Sequence, residues 1–196
     1  KDNKRKKNYY SIRFIFIPET IGSISYIEKN LKRLKKNVIG GYNLTCLGDD
    51  FNYSFLPSKY KDTLSDKAAR QAFKKLKIKY KEYSFLERGS DERQYNSPGI
   101  DLPIASIMRS KYGTYKEYHT SLDNFEFVSI EGLRGGCKIL KEAIKNLDKS
   151  LITRPKFLCE PHLSKYKLYA TLGTKNKDNF SRSILDFIQY SDGKND

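Results

Sequence analysis

The feature of this sequence that most constrains its fold is an alternation of strand-like runs with amphipathic helical segments. Residues 9–17 (YYSIRFIFI) are almost continuously apolar or β-branched, which predicts a strand covered on both faces. The segment that follows predicts an amphipathic helix ending near Asn37, and residues 38–47 predict a second strand. The unit strand, helix, strand favours a parallel pair in an α/β sheet. The apolar positions of the helix are Ile24, Ile27, Leu31 and Leu34.

The same alternation continues along the chain. Ser65 can cap a helix over residues 66–77, whose inward positions would be Ala69, Phe73 and Leu76. The sequence therefore predicts an α/β fold. The later elements are a short strand near 80–86, an apolar segment over 102–108, a helix over 125–148 and a helical patch over 181–190.

Size and charge narrow the class of protein. The chain has 196 residues and a mass of 22.8 kDa, which suits one domain of ordinary size or one domain with a small appendage. Its formal net charge is +15, but the lysines lie mainly on polar helix faces, so a solvated surface is favoured over nucleic-acid binding. Lys1 stands directly before a core-like strand without an initiating methionine, which predicts that the sequence is part of a longer protein.

The cysteines and the hydropathy pattern indicate a compartment. Cys46, Cys137 and Cys159 are far apart, which argues against a disulfide scaffold and favours a reducing environment. No apolar run reaches the length of a membrane span, and no signal peptide is visible. The expected location is the cytoplasm, without a membrane partner.

Polar residues follow the predicted strands where ligands bind in open α/β sheets. Glu19 follows the first strand, Asp49 and Asp50 follow the second, and His119 lies in a later loop. Carboxylates and an imidazole are the ligand types of a zinc hydrolase. Each residue also has a plainer interpretation: Glu19 could cap a helix, the two aspartates could form a turn, and His119 could be a hydrogen-bonded loop residue.

Four strings of residues stand in order along the chain. They are Arg13-Phe14 with Phe16 to Ser23, Gly89 to Tyr95 with Ser97 to Gly99, Glu117 to Ser121 with Asp123-Asn124, and Cys159 to Leu163. Together they resemble the zinc aminopeptidase superfamily that includes glutamate carboxypeptidases and glutaminyl cyclases. Within it, the chain is most similar to aminopeptidase-like proteins associated with polysaccharide biosynthesis. The resemblance implies a three-layer α/β/α sandwich with a mostly parallel, mixed sheet, of which this chain would be a C-terminal part.

The resemblance also implies roles for individual residues. His119 resembles the last histidine ligand of the zinc site, Asp49 its carboxylate ligand with Asp50 as the adjacent alternative, and Glu19 the general base. By their residue types, Arg93 could hold a substrate carboxylate, and Asp91 could accept a hydrogen bond from a substrate amine. The implied substrate-binding residues are Ser90, Asp91, Arg93, Tyr95 and Tyr118.

The sequence departs from the superfamily at two points. Two adjacent acidic residues are usual where Glu19 is followed by Thr20, so Glu19 is either the base, with one ligand missing, or itself the ligand. The superfamily's first histidine and bridging aspartate would precede residue 1. Asp49 and His119 alone are too few ligands for a tetrahedral zinc site.

The function that follows is a zinc-dependent hydrolase that cleaves a peptide or amide bond near a free amino group. One alternative is an amide-processing or acyl-processing enzyme of glycan biosynthesis on the same fold. Another is a non-catalytic module that binds a polyanion, motivated by the net charge. Residues 1–154 would form the aminopeptidase-like part, and residues 155–196 a linker and the start of a small segment that resembles a winged helix. The sequence is compatible with a homo-oligomer.

Overall fold

The computed structural model describes residues 8–150, 153, 155–168 and 178–193. The chain divides into two compact units, Lys1–Lys149 and Ser150–Asp196. The elements of the first unit are α1 (Ile21–Asn37), β1 (Gly41–Leu44), β2 (Ser54–Leu56), α2 (Leu64–Lys75), β3 (Lys81–Glu82), a 3₁₀ turn (Phe85–Glu87), α3 (Glu92–Tyr95), β4 (Ile104–Met108) and α4 (Ile130–Lys149). Those of the second unit are a 3₁₀ turn (Leu163–Tyr166) and α5 (Asp178–Tyr190).

The four strands form one mixed sheet in the order β1-β4-β2-β3. β1 pairs with β4 in parallel, β2 pairs with β3 in parallel, and β2 pairs with β4 in antiparallel orientation with Phe55 opposite Ile107. Two of these three pairings are parallel, which confirms the predicted α/β class with a mostly parallel, mixed sheet.

The side chains of β4 show that helices cover both faces of the sheet, because successive side chains of a strand point to opposite faces. Ala105 and Ile107 pack with Phe73 of α2 and Ile139 of α4. On the other face, Ser106 donates a hydrogen bond to Glu92 of α3, and Ile104 packs against the cluster that includes α1. The three-layer arrangement is therefore confirmed.

The helices follow the apolar spacing read from the sequence. α1 buries Ile27 and Leu34 to 4% and 5% exposure and ends at Asn37, where Val38 turns to an extended conformation. α2 differs at its start, because Thr63 rather than Ser65 is the N-cap, in a capping box with Asp66. Ser65 instead donates to the Pro103 carbonyl, which lies 38 residues along the chain.

One strand expectation is wrong, and one strand of the sheet was not expected. Residues 9–17 form no strand, and Phe14 and Phe16 are 69% and 92% exposed. A strand needs a neighbour for its backbone N–H and C=O groups, and none of the described strands pairs with this segment. β2, which is fully buried, carried no separate signal, because its three residues are too short to show a period.

α4 packs closely on the turn that follows β1, and one glycine permits the approach. A Cβ at Gly132 would lie 2.1 Å from the Gly48 carbonyl oxygen and 2.4 Å from that of Asp49. We expect Gly132→Ala to destabilise the fold by about 2 kcal/mol or more, because two backbones must move apart. Denaturant unfolding of the wild type and the variant measures this loss in the free energy of unfolding.

Gly135 offers a matched control in the same helix. A Cβ at Gly135 would meet only side-chain ends, the Arg109 guanidinium at 2.1 Å and the Tyr53 hydroxyl at 2.6 Å. Gly135→Ala should therefore cost less than Gly132→Ala. Equal losses for the two variants would contradict close backbone packing at Gly132.

In the second unit, Ser181 of α5 donates to the Leu168 carbonyl at 2.5 Å, and the Gly193 N–H donates to the Thr153 carbonyl at 2.9 Å. Across the parts of the chain that the structure describes, no helix combines the length and the apolar character that crossing a membrane requires.

Candidate active site

Glu19 lies two residues before the first residue of α1. Its side chain is exposed, and its Oε1 accepts a hydrogen bond of 2.6 Å from the Ser90 hydroxyl, 71 positions along the chain. Among the described residues, the Glu19 carboxylate has no other hydrogen-bond or ion-pair partner. The N-cap of α1 is Thr20, and the contact with Ser90 takes the place of the capping role that Glu19 could have had.

The Ser90–Tyr95 segment faces Glu19 and Thr20 with three of its four predicted substrate residues. Ser90 contacts Glu19, the Asp91 Oδ1 accepts from the Thr20 N–H at 2.8 Å, and the Arg93 guanidinium donates to the Thr20 hydroxyl at 3.0 Å. The fourth, Tyr95, packs instead against the buried cluster around α1, and burial raises its pKa.

Glu92 holds this segment in place and was not singled out from the sequence. Its side chain is fully buried on the face of the sheet opposite α2 and α4. One carboxylate oxygen accepts from the N–H groups of Gly89 and Ser90 and from the Tyr112 hydroxyl at 2.8–3.0 Å. The other oxygen accepts from Asn43 and Ser106, each at 3.0 Å.

The electrostatics of Glu92 follow from these contacts. Burial raises the pKa of its carboxyl, but the hydrogen bonds from Ser90, Gly89 and Tyr112 outweigh burial, so the pKa lies below its usual value. Burial and the Glu92 charge raise the pKa of Tyr112. The sequence could have pointed to Glu92 only through its place in the Gly89–Tyr95 string that resembles aminopeptidases. A glutamate in a short polar segment is ordinarily exposed, so its burial was not expected.

Asp49 is 1% exposed and joins two turns at the edge of the sheet. Its Oδ2 accepts from the Ser110 N–H at 2.8 Å, and its Oδ1 accepts from the Ser110 hydroxyl at 2.7 Å and from the Phe51 N–H at 3.1 Å. The bond from Phe51 is an Asx-turn contact, as the turn interpretation expects. Asp50 is exposed.

Tyr118 and His119 form an aromatic pair in the loop that follows β4. The two rings stack with centroids 4.0 Å apart, and His119 is exposed with a φ of 58°. Tyr118 is half-buried against the cluster of Leu56 and Met108. Burial, then the Cys46 thiol and the Glu19 carboxylate, raise the pKa of Tyr118.

The described residues by themselves do not fit a zinc ion. No three histidine, cysteine, aspartate or glutamate side chains within them converge as metal ligands would. Both oxygens of Asp49 already accept hydrogen bonds, and only His119, of the two predicted ligands, is exposed. What the structure does bring together is Glu19, Ser90, Asp91 and Arg93, through hydrogen bonds of Ser90 to Glu19 and of Asp91 and Arg93 to Thr20.

Comparisons with known proteins agree with this fold. A Clostridium acetobutylicum protein described as "Putative polysaccharide biosynthesis protein with aminopeptidase-like domain" is 38% identical over 193 residues, which cover 96% of this chain and 44% of that protein. A crystal structure from the same species is 36% identical with a TM-score of 0.70, covering 97% of this chain and 42% of that one. The chain thus spans less than half the length of these relatives.

More distant structures share the fold alone. An aminopeptidase from Aneurinibacillus sp. strain AM-1 is 21% identical with a TM-score of 0.55, over 65% of this chain and 30% of that one. A zinc aminopeptidase from Bacillus subtilis is 18% identical with a TM-score of 0.54, over 63% of this chain and 32% of that one. The resemblance to zinc aminopeptidases drawn from the sequence is confirmed at the level of fold.

Two family models match successive parts of the chain. Residues 151–196 match a model described as a winged helix-turn-helix. Residues 1–150, three quarters of the chain, match the model described as "Domain of unknown function (DUF4910)". The chain therefore belongs to the DUF4910 family and carries an aminopeptidase-like fold.

Proposed function

We propose that the complete protein is an aminopeptidase-like hydrolase that cleaves a peptide or amide bond near a free amino group, with Glu19 as its general base. The observation that carries the proposal is an exposed carboxylate, fixed through one oxygen by the Ser90 hydroxyl at 2.6 Å and without another described partner. A general base needs such a carboxylate, which is oriented yet open to a water and a substrate.

The neighbouring groups suit the same chemistry. Arg93 is exposed and uses one Nη2 contact on Thr20, so its other donors can bind an anionic substrate group. Tyr118 has a raised pKa, to which the Glu19 charge contributes, and stays a neutral hydroxyl that can donate a hydrogen bond to a substrate. Together with Ser90, these residues can position a substrate while Glu19 takes a proton from water.

A zinc ion stays a prediction from the resemblance, and no step above depends on it. Zinc content of the purified complete protein tests it. We expect bound zinc in the wild type and a loss in His119→Ala beyond the about 10- to 100-fold weakening that outer-shell changes cause. Hydrolysis of aminoacyl reporter substrates by the same samples tests the hydrolase activity.

The second histidine provides the matched control. His162 is exposed and is not among the predicted ligands, so His162→Ala should keep its zinc. Equal zinc in wild type and His119→Ala would remove His119 from the site. No zinc together with no hydrolysis in the wild type would favour a non-catalytic binding role.

A second candidate function is processing of an amide or acyl group on an amino-sugar or glycan precursor. It is motivated by the description of the Clostridium relative as a polysaccharide biosynthesis protein and by Thr20 in place of a second acidic residue. A panel of N-acylated amino sugars and aminoacyl amides separates the two. Turnover confined to aminoacyl amides would exclude the glycan substrate.

A further inference from the structure

Thr20 has a backbone conformation that β-branched residues rarely adopt. Its φ and ψ are 65° and −73°, and the Ile21 N–H donates to the Glu19 carbonyl at 2.8 Å across it. These values describe a γ-turn of the rare, strained type, with φ near about +75° and ψ near about −65°. Such strain persists only where surrounding contacts hold it, and it concentrates at functional sites.

Two side chains from the neighbouring segment hold this turn. The Asp91 Oδ1 accepts from the Thr20 N–H at 2.8 Å, and the Arg93 guanidinium donates to the Thr20 hydroxyl at 3.0 Å. Asp91 is 9% exposed and follows Ser90, whose own N–H is bound by the buried Glu92. Asp91 and Arg93, which together form a clamp on Thr20, therefore belong to a segment that is itself fixed to the core.

Release of the turn would displace Glu19 rather than the helix. α1 is anchored by Ile27 and Leu34, which are 4% and 5% exposed, whereas the Glu19 side chain is exposed and is hydrogen-bonded only to Ser90 among the described residues. A change of the Thr20 φ to an ordinary negative value rotates the chain by more than about 100°, given the allowed regions for L-residues. Because α1 is held by its buried residues, this rotation would move Glu19.

We infer that Asp91 is a positioning residue, which holds the strained turn at Thr20 and so aims the Glu19 carboxylate, with Arg93 as the second arm of the clamp. The inference rests on the proposed function, in which Glu19 is the base. It differs from the role suggested by the sequence, in which Asp91 binds a substrate amine. The positioning role and the substrate-binding role predict different effects of Asp91 replacement on kcat and KM.

The first test is steady-state kinetics of the complete protein with an aminoacyl reporter. Asp91→Ala should lower kcat by about 10- to 100-fold, the effect of a misplaced catalytic group, with KM changed less than twofold. Asp91→Asn should recover most of that loss, because the amide oxygen can still accept from the Thr20 N–H. An equal rise of KM in both variants would instead indicate a substrate amine on the carboxylate and overturn the inference.

The second test reads stability and needs no activity, so it still decides if hydrolysis is absent and the proposed function fails. Thr20→Gly should raise Tm by about 2–4 °C relative to Thr20→Ala, because both variants lose the hydroxyl that Arg93 contacts but only glycine adopts positive φ without strain. The gain should shrink in the Asp91→Ala background, where the turn has already relaxed. Lys61, with a φ of 61° and no contact with this segment, is the control.

Lys61→Gly should give the same Tm change whether or not Asp91 is replaced, and should leave kcat unchanged. Equal Tm gains from Thr20→Gly in both backgrounds would show that Asp91 holds no strain, and would overturn the inference.

Discussion

We expect Glu19→Gln in the complete protein to lower kcat by about 10²- to 10⁴-fold, because glutamine keeps the shape of the side chain but cannot take a proton from water. The glutamine oxygen can still accept from the Ser90 hydroxyl, so the site should keep its geometry. Since the side chain is exposed, the free energy of unfolding should change by no more than about 0.5 kcal/mol.

Kinetics with the reporter substrate, together with denaturant unfolding of the same samples, check this expectation. Glu28→Gln is a matched control, because Glu28 is an exposed glutamate of α1 outside the site. It should leave kcat unchanged. Activity retained in Glu19→Gln would remove Glu19 from the mechanism, and a large stability loss would make the variant uninformative about chemistry, in which case Glu19→Asp provides the comparison.

The second large effect concerns stability. Glu92→Gln should destabilise the fold by about 3 kcal/mol, because its amide nitrogen would face hydrogen-bond donors that the carboxylate now satisfies. Five donors converge on the buried Glu92 side chain, two of them backbone N–H groups of the Gly89-Ser90 turn. Each buried donor left without an acceptor costs about 1–3 kcal/mol.

Denaturant unfolding measures the loss, and Glu131→Gln provides the control. Glu131 lies on α4 with its side chain 71% exposed, in an ion pair with Arg134 at 3.8 Å. Exposed pairs of this kind contribute little, so its replacement should change stability by less than about 0.5 kcal/mol. Similar losses in the two variants would show that the Glu92 network does not stabilise the fold.

The same network makes a prediction about pH. The pKa of Glu92 is lowered in the folded protein, so the carboxylate stabilises the fold fully above the unfolded value of about 4.3. That stabilisation is lost as pH falls through the lower, folded pKa. The stability difference between wild type and Glu92→Gln should therefore be constant from pH 7 to about pH 5 and shrink in stronger acid. A difference that grows in acid would contradict the lowered pKa.

Local patterns predicted the helices and the general class of the sheet. The apolar spacing of Ile27 and Leu34 marks the buried stripe of α1, and Phe73 marks that of α2, because amphipathic periodicity is a property of neighbouring residues. Residues 9–17 show the limit of the method. Their composition favours a strand, but a strand exists only with a partner, and the partner is not encoded locally.

At the candidate site, too, the sequence identified residues but not the contacts between distant segments. The strings that resemble aminopeptidases identified Glu19 and the Ser90–Tyr95 segment, but not the 2.6 Å contact that joins them. They also said nothing of Glu92, since burial of a charged residue depends on donors from β1, β4 and the segment after β4.

By itself, the sequence determined the family, the α/β class, the helices and the residue types available for chemistry. Tertiary structure alone decided that Asp49 binds Ser110, 61 positions away, that Glu92 is buried among five donors, and that Thr20 is held at positive φ by Asp91. The physical reason is the separation along the chain of the residues that determine each feature. Periodicity and capping depend on residues within one or two turns, whereas the partner of a carboxylate depends on which distant segments the packed sheet brings together.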